Sequence, residues 1–181
     1  MSVAVIAAIL MLAGVLAISI IGKVRRRSSF EAFADATAEL RVTSTRWSRP
    51  VAAASITAEV GVLALLIWPG TAAVGLAAAV LLFGAFVIAL AHAVRQGSTA
   101  GCHCFGPTST PVAWRHVARS GLLAAAAAGA LVGATTLPTV SLGMLTPAQF
   151  LVASTIAAFI TTALVRLDDL TWLVRGVPQA R

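Results

Sequence analysis

The sequence predicts an all-α integral membrane protein: a helical bundle of four to five transmembrane helices, with a short amphipathic helix at the interface. Three observations predict it. Only 10% of the residues are charged and 59% are hydrophobic, with a mean hydropathy of +0.96, whereas a soluble domain carries about 25% charged residues. Apolar runs near the length a helix needs to cross a bilayer recur along the chain. These runs do not alternate polar and apolar residues as barrel strands do, and a helix satisfies its own backbone in lipid. All 181 residues read as a single membrane domain.

The first span is read over about residues 2–22, uncharged until Lys23, Arg25, Arg26 and Arg27 stop it. It lacks a basic leading segment and is too long for the apolar core of a signal peptide, so it reads as a retained helix. Next, Phe30, Phe33, Ala34, Thr37 and Leu40 share one helical face, with Glu31, Asp35, Glu39 and Arg41 elsewhere. That pattern predicts an interfacial helix over about 29–41. Trp47 fits an interfacial anchor.

The second span, about 50–68, opens on Pro50, a favoured first-turn residue, and ends at Trp68-Pro69-Gly70. The third, about 71–94, follows a very tight turn. Residues 95–110 form a loop rich in Gly, Ser and Thr, and Thr110-Pro111 reads as N-cap and first turn of the fourth span, about 111–137. Gly129 and Gly133 in that span have small-xxx-small spacing, although alanine filling a tight bundle explains the stretch more simply. Thr146 and Gln149 have capping-box spacing before a fifth span, about 147–166. Asp168 and Asp169 read as part of a solvated tail.

The net charge of +7 reads as the basic excess of membrane-flanking loops, not as a nucleic-acid surface. With five spans, all 13 Lys and Arg fall on one side of the membrane. The positive-inside rule then puts the N-terminus outside and the 95–110 loop at the cytoplasmic face. Arg95, Arg115 and Arg119 are expected at headgroup level, with Trp114 as an anchor.

Candidate chemistry centres on Gly101-Cys102-His103-Cys104-Phe105-Gly106, which holds both cysteines of the chain. Two cysteines are too few for a disulfide framework or a four-cysteine zinc site. A Cys-x-Cys disulfide closes a small ring, and strained disulfides are readily reduced. That suits a transfer site better than a staple. Gly101 and Gly106 free the backbone, and His103 with the basic surroundings favours thiolate. Two other readings stay open: thiols without a redox role, and copper(I) or zinc binding by Cys102 and Cys104 with His103, His116 or His92.

Glu59 sits near the middle of the second span, where a carboxylate costs about 2.5–3.5 kcal/mol unless neutralised or partnered. It is expected to face the bundle interior. There it would handle protons, shape a pocket for a quinone-like electron acceptor, or simply bond a neighbouring helix. His92, about two turns before the cysteine loop, is a candidate proton acceptor for a reacting thiol. No Ser-His-Asp arrangement or phosphate-binding glycine loop stands out.

Gly22-Lys23, Phe30, Glu59, Phe86, Cys102-x-Cys104-Phe105-Gly106 and Arg119 together resemble the methylamine-utilisation MauE family, grouped with DoxX-like membrane proteins. The Cys-x-Cys-Phe-Gly element is the specific one, and the resemblance extends over most of residues 1–137. It implies a multi-span membrane protein that supports redox maturation of a disulfide-rich, exported client, alongside a thioredoxin-like partner. Cys102 and Cys104 would be the redox pair. Disulfide donation to an exported client needs an oxidising compartment, whereas the basic residues place the loop inside. A relay of reducing equivalents from a cytoplasmic donor is the other direction the pair can serve.

Overall fold

The computed structural model describes residues 3–39, 45–68, 70–97, 113–136 and 147–165. Among them every regular element is helical, as composition and run length predicted. The helices are α1 (Val3–Val24), α2 (Arg27–Glu39), α3 (Ser48–Ile67, preceded by a 3-10 turn at Thr45–Trp47), α4 (Ala72–Arg95), α5 (Trp114–Thr136) and α6 (Pro147–Val165). Helices α1, α3, α4 and α5 are long and apolar enough to cross a membrane, and α6 carries a shorter apolar stretch, Leu151–Ala163. Leu40, Arg41, Pro69, the Cys102–Cys104 stretch, the caps expected at Thr110-Pro111 and Thr146, and the Asp168-Asp169 tail lie outside the described residues.

The central helix is α1. Half of its most apolar window is buried, against 22–28% for α3, α4 and α5. It packs on α2, α3, α5 and α6, and α4 joins α3 to α5. This explains why α1 is apolar all round: a helix with neighbours on several sides has no water-facing stripe. Val5, Ile9, Leu12, Val15 and Leu16 of α1 meet Val62 and Leu66 of α3, Leu76, Ala79 and Phe83 of α4, and Leu123, Ala127 and Ala130 of α5 in one core. The outer faces carry exposed Leu81, Ile88, Leu122, Val132 and Phe159, surface that lipid can cover.

Helix directions follow from paired neighbours. Val5 lies against Gly133, while Ser19 shares a cavity with Arg119 and Ser120, so α1 and α5 are antiparallel. Ile6 clusters with Ala153, and Thr161 Oγ1 donates to the Met11 carbonyl at 3.4 Å, so α1 and α6 run parallel. The C-termini of α1, α4 and α6 therefore share one end of the bundle with α2 and the N-termini of α3 and α5. Gly97 and Ala113, which flank the cysteine loop, belong to this α2 end.

A short turn folds α4 back on α3. Gly70 has φ +87°, a conformation glycine adopts without steric cost. Thr71 Oγ1 donates to the Leu65 carbonyl at 2.8 Å. One turn later, a Cβ on Gly75 would lie 2.8 Å from the Leu66 nitrogen, so the missing side chain lets the two backbones touch. The small-xxx-small reading of α5 holds only in part. Gly133 abuts Val5, whereas Gly129 faces open space; Ala127 and Ala130 fill the core on that helix.

Helix α2 is amphipathic as expected: Ala34 and Thr37 are buried, Phe30 and Phe33 half-buried, and Glu31, Asp35 and Glu39 exposed. It packs against α3 and α1, so it is a fixed part of the bundle at its interfacial end.

Candidate functional site

Glu59 faces the interior because of its register. The buried residues of α3 include Ala52, Glu59, Val62 and Leu66, at steps of seven, three and four residues that trace one helical face. Leu12, Val15, Leu16, Ser19 and Lys23 trace the matching stripe on α1. The two stripes bring a carboxylate and an ammonium together inside the bundle. Lys23 Nζ donates to Glu59 Oε1, and Ser19 Oγ donates to Glu59 Oε2 at 3.2 Å. The side chains of Lys23 and Glu59 are 1% and 0% exposed.

Two aromatic rings complete the surroundings of the ammonium. The Phe33 centroid on α2 lies 4.6 Å from Lys23 Nζ, and that of Phe86 on α4 lies 5.7 Å away. Both are within range of a cation–π attraction, which strengthens on desolvation. Phe86 also meets Phe83 edge-to-face, with centroids 6.3 Å apart. On the far side, Arg119 and Ser120 of α5 line a small cavity together with Ser19, Glu59, Phe83 and Phe86. Five helices thus contribute polar or aromatic groups to one buried cluster.

Lys23 stands in the last turn of α1, where the sequence ends the span, and Arg119 in the second turn of α5, yet neither side chain reaches out to water. Both are buried, Arg119 at 6% exposure. A basic residue at the end of a span ordinarily extends toward water, but Lys23 has a carboxylate waiting inside. Lys23 continues the 12–16–19 stripe of α1, but which cation meets Glu59 is set by how α3 packs on α1. A pocket for a quinone-like acceptor is one of three readings of Glu59, beside proton handling and a bond to a neighbouring helix. The cavity measures about 20 Å³, room for a water molecule but not for a quinone ring. The carboxylate is already engaged by Lys23 and Ser19.

The histidines separate. His92 is exposed in the last turn of α4, with Nε2 2.8 Å from Gln96 Nε2. It is at the α2 end, but not in the cluster. His116 is buried in the first turn of α5, where its Nδ1 accepts the Ala113 N–H at 3.2 Å. This places the ring proton of a neutral imidazole on Nε2. No group of three or more His, Cys, Asp or Glu side chains with metal-binding geometry occurs among the described residues. Cys102, His103 and Cys104 lie outside those residues.

A family model described as methylamine utilisation protein MauE matches residues 1–135. The chain belongs to this family. No curated protein and no solved structure matches it. The MauE match runs from α1 almost to the end of α5 and leaves α6 outside it. With four apolar helices of spanning length, the protein is a multi-pass membrane protein of the MauE family. Four residues that carried the sequence resemblance, Lys23, Glu59, Phe86 and Arg119, come together in the buried cluster.

Proposed function

We propose that this MauE-family protein is a membrane thiol–disulfide redox protein that supports maturation of partner proteins in methylamine utilisation, with Cys102 and Cys104 as its redox pair. One observation carries the reading. Both thiols of the chain fall in a Gly-flanked Cys-x-Cys element of the α4–α5 connection, whose flanking residues sit at the bundle end that also holds the charged cluster.

In the reducing direction, the thiolate of one cysteine attacks a sulfur of a partner disulfide. A mixed disulfide forms and one partner thiolate leaves. The second cysteine, as thiolate, attacks the mixed disulfide. The partner departs as a dithiol and Cys102–Cys104 becomes a disulfide. Two electrons have passed to the partner, and a dithiol protein of the thioredoxin-like class restores the pair. In the oxidising direction the same steps run backwards and the partner receives the disulfide. His103 and His92 are the nearest proton acceptors in sequence. Glu59 is a positioning residue: with Lys23 it fixes α1 against α3 beneath the helix ends that carry the loop. The one-sided basic residues favour an outside N-terminus and a cytoplasmic loop.

The test uses intact cells and single cysteine variants. Either Cys102→Ser or Cys104→Ser is expected to accumulate a reductant-sensitive adduct with a partner, and the double variant none. A membrane-impermeant maleimide is expected to label the pair only after lysis. Normal client maturation in the double variant would overturn the redox role. Labelling of intact cells after reduction would overturn the orientation alone.

A further inference from the structure

We propose that the elbow between α1 and α2 is a binding site for the phosphate headgroup of an anionic phospholipid. The chain turns there through Arg25 and Arg26 and leaves a hollow of about 430 Å³, lined by Val24, Arg26, Arg27, Phe30, Glu31 and Arg49. Three guanidinium groups face one carboxylate, a formal excess of two positive charges. Guanidinium pairs with phosphate through two parallel N–H···O bonds. The hollow also adjoins the first turn of α2, whose backbone dipole favours an anion.

The Arg49–Glu31 ion pair across the hollow leaves room for a ligand. Arg49 Nη2 lies 3.6 Å from Glu31 Oε1, with both side chains largely exposed. Such a pair is worth little in water, so a phosphate can draw Arg49 from Glu31 at small cost. The surroundings select a lipid over free phosphate. Val24 on the rim and Ile21 one turn before it are exposed apolar residues, so the last turn of α1 offers an apolar track running from the hollow along the span. Trp47, exposed just before α3, marks the same level as an interfacial anchor. An occupant with a phosphate at one end and acyl chains at the other matches both features, and an anionic headgroup matches the charge excess.

The test is native mass spectrometry of the full-length protein in detergent, offered equal phosphatidylglycerol and phosphatidylcholine of identical acyl chains. Wild type is expected to retain phosphatidylglycerol in preference. Arg26→Gln, Arg27→Gln and Arg49→Gln are each expected to lower that preference roughly fivefold, and the triple variant to abolish it. The single variants keep the test decisive if the triple variant fails to fold. Arg95→Gln, an exposed charge at the same end but outside the hollow, should change nothing. Three results would overturn the site: an undiminished preference in the triple variant, an equal loss in Arg95→Gln, or displacement of the lipid by millimolar inorganic phosphate, which would mean a free-phosphate site.

Discussion

Two ion pairs join helices near the same end of this bundle, and their surroundings differ in almost every respect. Lys23–Glu59 is nearly inaccessible, shares its carboxylate with Ser19 and has Phe33 and Phe86 close to its ammonium. Arg49–Glu31 is 73% and 59% exposed and stands in an open hollow. The chemistry is the same carboxylate with a cation. What differs is the alternative each group has when its partner leaves. A freed Arg49 or Glu31 meets water. A freed Glu59 stays in a space of about 20 Å³, lined by Ser19, Arg119 and Ser120 as well as by apolar side chains, and away from bulk water, so the inner pair is held by the cost of separating it.

The strongest way to break that contrast is Lys23→Met. It strands Glu59 and is expected to cost about 3–5 kcal/mol, read as lost stability in reversible unfolding from detergent. Lys23→Met with Glu59→Gln should recover most of it, because neither member of the pair is then left buried without the other. A double variant no better than Lys23→Met would mean that the pair is not the main reason for the loss.

Phe33→Ala sharpens the comparison by opening the inner pair from the α2 side. It removes a cation–π contact worth about 0.5–2 kcal/mol together with apolar contact between α2 and the bundle. Amide exchange in α2 should accelerate while α4 is unchanged. The smallest effect belongs to the outer pair. Glu31→Gln is expected to shift stability by about 0–1 kcal/mol, and added salt should erase even that. A loss as large as that of Lys23→Met would remove the distinction.

The fold was legible because its causes are local. Run length and the lack of charge define the spans, Gly70 defines the turn, and the three- and four-residue spacing of apolar residues in α2 defines its buried face. The inward position of Glu59 was legible for the same reason, since a mid-span carboxylate has nowhere else to go. The fate of Lys23 and Arg119 was not. A basic residue at a span end points toward water or inward according to what a distant helix offers, and the α1 sequence does not contain α3. The role of Phe33 was hidden in the same way. It reads as one apolar residue on an interfacial face, and only the packing of α2 on α1 brings it to an ammonium. Cys102 and Cys104 lie outside the described residues, so their pairing as chemistry rests on the sequence alone.

The Lys23–Glu59 pair also sets an order of events during synthesis. Its partners are 36 residues apart, so at about 5–20 residues per second the ribosome needs roughly two to seven seconds to supply the acid after the base. Over that interval the base has no acid to meet, and the contact that holds α1 at the centre can form only once α3 has been made.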